Sequence, residues 1–128
     1  MPSTRIVTGE WARGREMELI EAVQSALVSA ISIPDWDRDI VVDLYDGKRR
    51  IVPSGTSERY TRIEIELFQG RSMEAKRALY RVIVRNVAAL GVPENEIKTI
   101  LIEVPLQDWG VRGGQAASEI DLGFRVDV

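Results

Sequence analysis

The chain has 128 residues, 45% hydrophobic and 29% charged, with a net charge of −3 and neither cysteine nor histidine. That is one domain's worth of sequence, long enough to bury about two thirds of its unfolded surface, and it excludes disulfide frameworks, thiolate nucleophiles, zinc fingers, Ser-His-Asp triads and histidine metal sites. A pI near 5.1 argues against a dedicated nucleic-acid surface, and the lack of any apolar run near about 18 residues, or of a signal-peptide stretch, predicts a cytoplasmic protein with no membrane segment. Acid/base chemistry must therefore come from carboxylates, lysine, tyrosine or the chain terminus.

Taken in order, a short strand begins at Ile6. Leu19, Ile20, Val23, Leu27, Ala30 and Ile31 then recur at helical spacing, and after Pro34 a strand resumes over Ile40 to Tyr45. Asp46-Gly47 is a hairpin turn signal, with Lys48-Arg49-Arg50 as its solvated continuation. From Thr61 to Phe68 the pattern alternates, with Ile63, Ile65 and Leu67 on one face and Arg62, Glu64 and Glu66 on the other. Gly70 breaks that strand and Ser72 is placed to cap a helix. Ala75, Leu79, Val82, Ile83, Val87 and Leu90 carry the helix until Gly91 and Pro93 stop it. Ile100, Ile102 and Val104 alternate again, and Phe124, Val126 and Val128 predict a terminal strand that could add to a neighbouring sheet.

These elements repeat. Arg5-Ile6 recurs as Arg62-Ile63, Gly14-Arg15 as Gly70-Arg71, Met17-Glu18 as Met73-Glu74 and Ile33-Pro34 as Val92-Pro93, at offsets of 57, 56, 56 and 59. Each copy reads strand, helix, strand, and parallel strands need such a crossover helix. The fold class expected is α+β: two pseudo-symmetric β-α-β units form a four-stranded sheet with two helices on one face. A single domain is expected over 1–128, with one repeat at about 2–46, the other at about 60–104, and a C-terminal segment over 105–128. Because Ile and Val populate the strands heavily, the bare sheet face is expected to be buried against other subunits of a closed homo-oligomer.

A two-copy β-α-β chain that begins Met-Pro, with Gly-Arg entering the second helix, resembles the tautomerase superfamily, whose members use an N-terminal proline exposed by removal of the initiator methionine. The likeness covers essentially the whole chain. Pro34-Asp35-Trp36-Asp37-Arg38, Gly70-Arg71-Ser72 and Asp108-Trp109-Gly110-Val111-Arg112-Gly113 most resemble malonate semialdehyde decarboxylase and its tautomerase-like relatives. The resemblance implies a homotrimer whose sheets line a central barrel, a small-molecule carboxylate as substrate, no cofactor, and sites near each Pro2.

Pro2 alone could be nothing more than a tolerated N-terminus; beside the repeat and Gly70-Arg71 it becomes the candidate base. A secondary amine at a chain start is neutral near pH 7 when it is desolvated or close to cations, and can then remove a proton alpha to a carbonyl. Arg71 could be an ordinary arginine in the first turn of a solvated helix, but a guanidinium there fits a substrate carboxylate bidentately. The decarboxylase pattern is Arg-x-Arg, and here its first position is Gln69, so one carboxylate-binding arginine is missing. Asp37 and Arg38 match the family's acid and its neighbour, although Asp35, Asp37 and Asp39 also read as a plain polar loop. Their spacing is no calcium loop, since Ile40 and Asp46 stand where glycine and glutamate are needed, and no metal is expected. Trp109 is expected to wall the site, and Arg112 to replace the arginine lost at Gln69.

The leading expectation is a tautomerase acting on a small 2-oxo acid or its enol, with Pro2, Asp37 and Arg71 catalytic and Arg38, Gln69, Trp109 and Arg112 binding substrate. Decarboxylation of a 3-oxo acid such as malonate semialdehyde is the alternative enzyme, and a non-catalytic trimeric scaffold the alternative class. The resembled dehalogenases use a histidine that this chain lacks.

Overall fold

The computed structural model describes residues 1–124. Its main elements are β1 (Ser3–Gly9), α1 (Glu16–Ile31), β2 (Ile40–Tyr45), β3 (Thr61–Phe68), α2 (Met73–Ala88) and β4 (Ile97–Val104), followed by the short strands β5 (Gly110–Val111) and β6 (Gln115–Ala116). The four long strands form one mixed sheet in the order β2-β1-β3-β4. Within each unit the strands are parallel, Thr4 beside Ile40 and Thr61 beside Ile97, while β1 and β3 meet antiparallel at the centre. Both helices cover the same sheet face. Leu19, Val23, Leu27 and Ile31 of α1 and Leu79, Ile83 and Val87 of α2 close over Ile6, Ile63, Ile65 and Leu67 in one apolar cluster. Each fully buried side chain of this size stabilises the fold by about 1.5–3 kcal/mol.

The helix ends follow local chemistry. Ser72 accepts a hydrogen bond from the Ala75 amide at 3.1 Å, as its place before α2 predicts. α2 ends at Ala88, earlier than the Leu90 periodicity suggests, because Leu90 and Gly91 close back onto Val87 and Ala88 in a tighter turn and Gly91 takes φ +107°.

Three expectations are corrected. Asp46-Gly47 makes a turn, with the Asp46 carboxylate accepting from the Lys48 amide at 2.9 Å, but no hairpin. β3 pairs with β1 and β4 and leaves β2 at the far edge, because parallel pairing of β1 with β2 already commits that edge. Arg50 is not solvated freely either, since it donates to the carbonyls of Glu58 and Tyr60. The bare sheet face also carries charged residues among its Ile and Val. Strand parity sends Ile6, Ile63 and Ile65 to the helices, and the register leaves Arg5, Asp43, Arg62, Glu64, Glu66 and Lys98 on the other side together with Val7, Val41, Ile100, Ile102 and Val104. The expected terminal strand falls on 124–128, most of which lies outside the described residues.

Candidate active site

The sheet register gathers the site. Ser3 pairs with Glu66, so the start of β1 lies beside the end of β3, where the chain turns into α2. Gly70 makes that turn at φ +130°, a conformation only glycine adopts freely. Pro2 is buried beside this junction.

The Met1 amine lies 3.1 Å from Asp37 Oδ2. Asp37 is 9% exposed, and its loop is fixed by its own amide donating to the Pro34 carbonyl at 3.0 Å and its carbonyl accepting from Gln24 Nε2 at 3.1 Å. The neighbouring acids are used elsewhere, Asp35 on Arg38 and Asp39 on the Ser3 hydroxyl. Desolvation holds the chain-terminal amine below its ordinary pKa, with Asp37 opposing that shift and Arg71 adding to it. A chain-start amine in this position is therefore disposed toward its neutral, basic form.

Arg71 is 6% exposed. It precedes the Ser72 cap, so it is a buried side chain at the strand-to-helix junction and not an arginine in the helix's first turn. Its Nη1 donates to the Phe68 carbonyl at 3.1 Å, while Nε and Nη2 have no partner among the described residues. Those two donors form one side of the guanidinium, the fork that matches the two oxygens of a carboxylate. Burial pulls the guanidinium below its ordinary pKa, and Glu103 and Asp37 oppose that shift.

An apolar wall stands over these groups. Trp109 packs edge-on against Phe68, ring centroids 4.8 Å apart, and its indole donates to the Val104 carbonyl at 3.1 Å. Ala117, Leu122, Val111 and Met1 belong to the same cluster. Met1, Pro2, Asp37, Trp109 and Val111 share an open cleft of about 460 Å³. Sequence reading missed Phe68 and Val111. The parity of β3 puts Phe68 with Arg62, Glu64 and Glu66, so a buried aromatic there signals that the C-terminal hairpin covers this end of the open face.

The other expected residues are placed differently. Arg38 borders the cleft, but its guanidinium is held by Glu21 and Asp35. The Gln69 side chain is exposed, and its amide extends β3 by donating to the Val104 carbonyl at 3.2 Å. Arg112 is tied into its own segment. It sits at φ +48° in the β5–β6 turn with Gly113 and Gly114, and its guanidinium donates to the carbonyls of Asp121 and Leu122 at 2.8 and 3.4 Å.

The family model described as tautomerase enzyme matches residues 37–112. A probable tautomerase of Ralstonia nicotianae is 44% identical over 52 residues, 40% of this chain and 74% of that protein. The 2-hydroxymuconate tautomerase of Comamonas testosteroni is 33% identical over 54 residues, 41% of this chain and 86% of that protein. Among solved structures, FG41 malonate semialdehyde decarboxylase inhibited by 3-bromopropiolate superposes with a TM-score of 0.79 at 26% identity, over 89% of this chain and 92% of that one. A fused 4-OT asymmetric trimer gives the same score and identity over 91% and 96%. With the double β-α-β sheet and the site between its chain start and its second helix, these likenesses show that the chain belongs to the tautomerase family and is an enzyme of that kind.

Proposed function

We propose that the chain, once freed of Met1, is a cofactor-independent tautomerase that moves a proton between oxygen and carbon of a small 2-oxo acid and its enol, with the Pro2 amine as base. The observation that supports this reading is the buried Arg71, whose Nε and Nη2 have no partner among the described residues, near the Met1 amine, whose pKa desolvation lowers. The fork holds the substrate carboxylate in two parallel charge-assisted hydrogen bonds. The neutral amine takes the enol hydroxyl proton and returns it to carbon as the ketone forms, so no proton is gained or lost over the cycle. Asp37 orients the amine and balances its charge when it is protonated. Phe68, Trp109 and Val111 keep water away, which favours the neutral base. Excision of Met1 would free the space it takes in that apolar cluster.

Decarboxylation of a 3-oxo acid is the second reading. The likeness to FG41 malonate semialdehyde decarboxylase and the buried Asp37 favour it, whereas the exposed Gln69 leaves a single arginine for the substrate. Ketonisation of phenylenolpyruvate and carbon dioxide release from malonate semialdehyde, measured on one Met1-free preparation, separate the two. Turnover of the first alone supports the tautomerase reading, and turnover of the second alone replaces it.

The same proposal includes a homotrimer closed through the open sheet face. Exposed Val41 and Ile102 on the two edge strands, the 68% exposed Trp36 and the trimeric state of the fused 4-OT structures support it. Light scattering should give a mass three times the 14.4 kDa of one chain.

A further inference from the structure

Both copies of the repeat place a buried acid at the same turn. Asp37 and Glu96 stand 59 residues apart, the offset of Pro34 from Pro93, and each donates its amide to that proline's carbonyl, at 3.0 and 2.9 Å. Beyond the turn the copies part. Glu96 turns its carboxylate to the amide and hydroxyl of Ser57, whereas Asp37 turns Oδ2 to the chain-start amine.

The first acid is held from its helix as well. Gln24 of α1 is 1% exposed, and its Nε2 donates to the Asp37 carbonyl at 3.1 Å and to the Asp35 carbonyl at 3.5 Å. Both neighbours are carbonyl oxygens, so the amide must present its nitrogen to them. At the helix offset of 56, where Val23, Leu27 and Ile31 match Leu79, Ile83 and Val87 in the core, Gln24 corresponds to Tyr80. Tyr80 instead lines a cleft with Arg81, Val84 and Arg85. The Gln24 Oε1 is buried with no partner among the described residues. A buried acceptor left unpaired is costly, so what the amide contributes over an apolar side chain of its length is the bond to the loop.

Asp37 is thus fixed on both sides of its Cα, by the Pro34 carbonyl and by Gln24, and its carboxylate leaves the backbone in one direction. Met1, Pro2 and Asp37 line the same cleft, and a misplacement of about 1 Å at a reacting group costs about 10²-fold in rate. We propose that Gln24 is a positioning residue for the proton transfer: by bonding the Asp37 carbonyl from inside the core, it aims the Asp37 carboxylate at the chain-start amine. The proposal rests on the reading of the Pro2 amine as base with Asp37 as its partner. Gln24 touches neither substrate nor reacting atoms.

This role has a signature that a purely structural glutamine lacks. The charged groups around Asp37 are the amine and Arg71, and in its own loop Asp35 and Arg38, which pair with each other, Glu21 of α1, which pairs with Arg38, and Asp39, which accepts from Ser3. Gln24 adds no charge to them, so a pH profile that moves when it is replaced by another neutral residue reports a displaced carboxylate. Gln24→Met keeps the length of the side chain and loses the bond. On Met1-free protein, kcat for phenylenolpyruvate is expected to fall about tenfold with KM within about twofold, and the acid limb of kcat/KM to move to lower pH, as in Asp37→Asn. In the Asp37→Asn background the same substitution should change kcat by less than about twofold, because no carboxylate is left to aim. Gln24→Asn, one methylene shorter, should give the same pattern and serves if the methionine variant does not fold. A melting temperature that falls while kcat and the acid limb stay at wild type in both variants, or a loss that adds in full to that of Asp37→Asn, overturns the proposal. If Asp37→Asn itself leaves kcat and the limb unchanged, the reading of Asp37 as the amine's partner fails; if Asp37→Asn moves them and the Gln24 variants do not, only the role of Gln24 fails.

Discussion

At one end of the antiparallel β1–β3 pair, β1 begins beside the end of β3, and the Met1 amine, Asp37 and Arg71 gather there. At the other end β3 begins beside the end of β1, and the pseudo-symmetric place is filled by Thr8, Trp11, Thr61 and Glu96. The Thr8 and Thr61 hydroxyls lie 2.9 Å apart, and the Trp11 indole donates to Thr8 Oγ1 at 2.9 Å. Arg15 and Arg59 stand over the Trp11 ring at 5.8 and 5.0 Å and donate to the Leu90 and Gly91 carbonyls. Glu96, 7% exposed, accepts from the amide and hydroxyl of Ser57 at 3.0 and 2.6 Å. Here the cations stack and donate to the backbone, and the acid is satisfied. Gly9 is closed in as well, since a Cβ there would lie 2.2 Å from the Glu58 carbonyl. Two copies of one unit thus give one end with a chain-start amine and an arginine with two buried donors unpaired among the described residues, and one end stitched shut. Buried polar groups without partners mark where a protein keeps capacity for a ligand.

Substitutions at the two ends should separate cleanly. Arg71→Ala is expected to lower kcat/KM about 10²-fold, the value of a charge-assisted bidentate contact; Arg59→Ala at the closed end should leave it within about twofold and cost about 0.5–1 kcal/mol of stability in denaturant melts. Glu96→Ala comes next, at about 1–3 kcal/mol of stability for the two lost Ser57 bonds, with steady-state rates per folded molecule unchanged. If Glu96→Ala impaired turnover as Arg71→Ala does, the contrast between the ends would be lost.

The pH dependence sharpens the contrast further. Desolvation lowers the pKa of the Met1 amine; the Pro2 amine freed by excision starts beside the same groups, and since protonation inactivates the base, the acid limb of kcat/KM is expected below the ordinary range of a chain-terminal amine. Asp37 raises the pKa of the Met1 amine and Arg71 lowers it, so for a Pro2 amine in the same company Asp37→Asn is expected to move the limb to lower pH and Arg71→Ala to move it the other way. A group whose folded pKa is depressed binds fewer protons folded than unfolded. The amine therefore costs no stability above its unfolded pKa, and stability declines as pH falls from there toward the folded value. The smallest effect expected is that of Gln69→Ala, whose exposed side chain should change kcat/KM by less than about twofold.

Much of this was legible in the chain and some was not, for physical reasons. β3 could be read because its alternation is unbroken and Ser72 sits where a cap belongs. The repeat foretold the pairing of each helix with two parallel strands. The order of the units was hidden, since Asp46-Gly47 specifies a local turn while the place of β2 is settled by pairing with β1 across the sheet. Counting Ile and Val said nothing of parity, which divides them between the two faces. Asp35, Asp37 and Asp39 look alike in sequence; Gln24, reaching from α1 to the Asp37 carbonyl, is what buries the middle one. Arg112 looked like a free cation because the carbonyls that bind it come from a later segment.

The central claim is that the amine at the chain start is the base. It is tested most directly by comparing phenylenolpyruvate ketonisation by two preparations whose intact masses show either Pro2 as the first residue or Met1 retained. The account predicts a loss of about 10²–10⁴-fold in kcat when Met1 is retained and the Pro2 nitrogen is an amide, the usual worth of a positioned general base. Equal rates in the two preparations would contradict it.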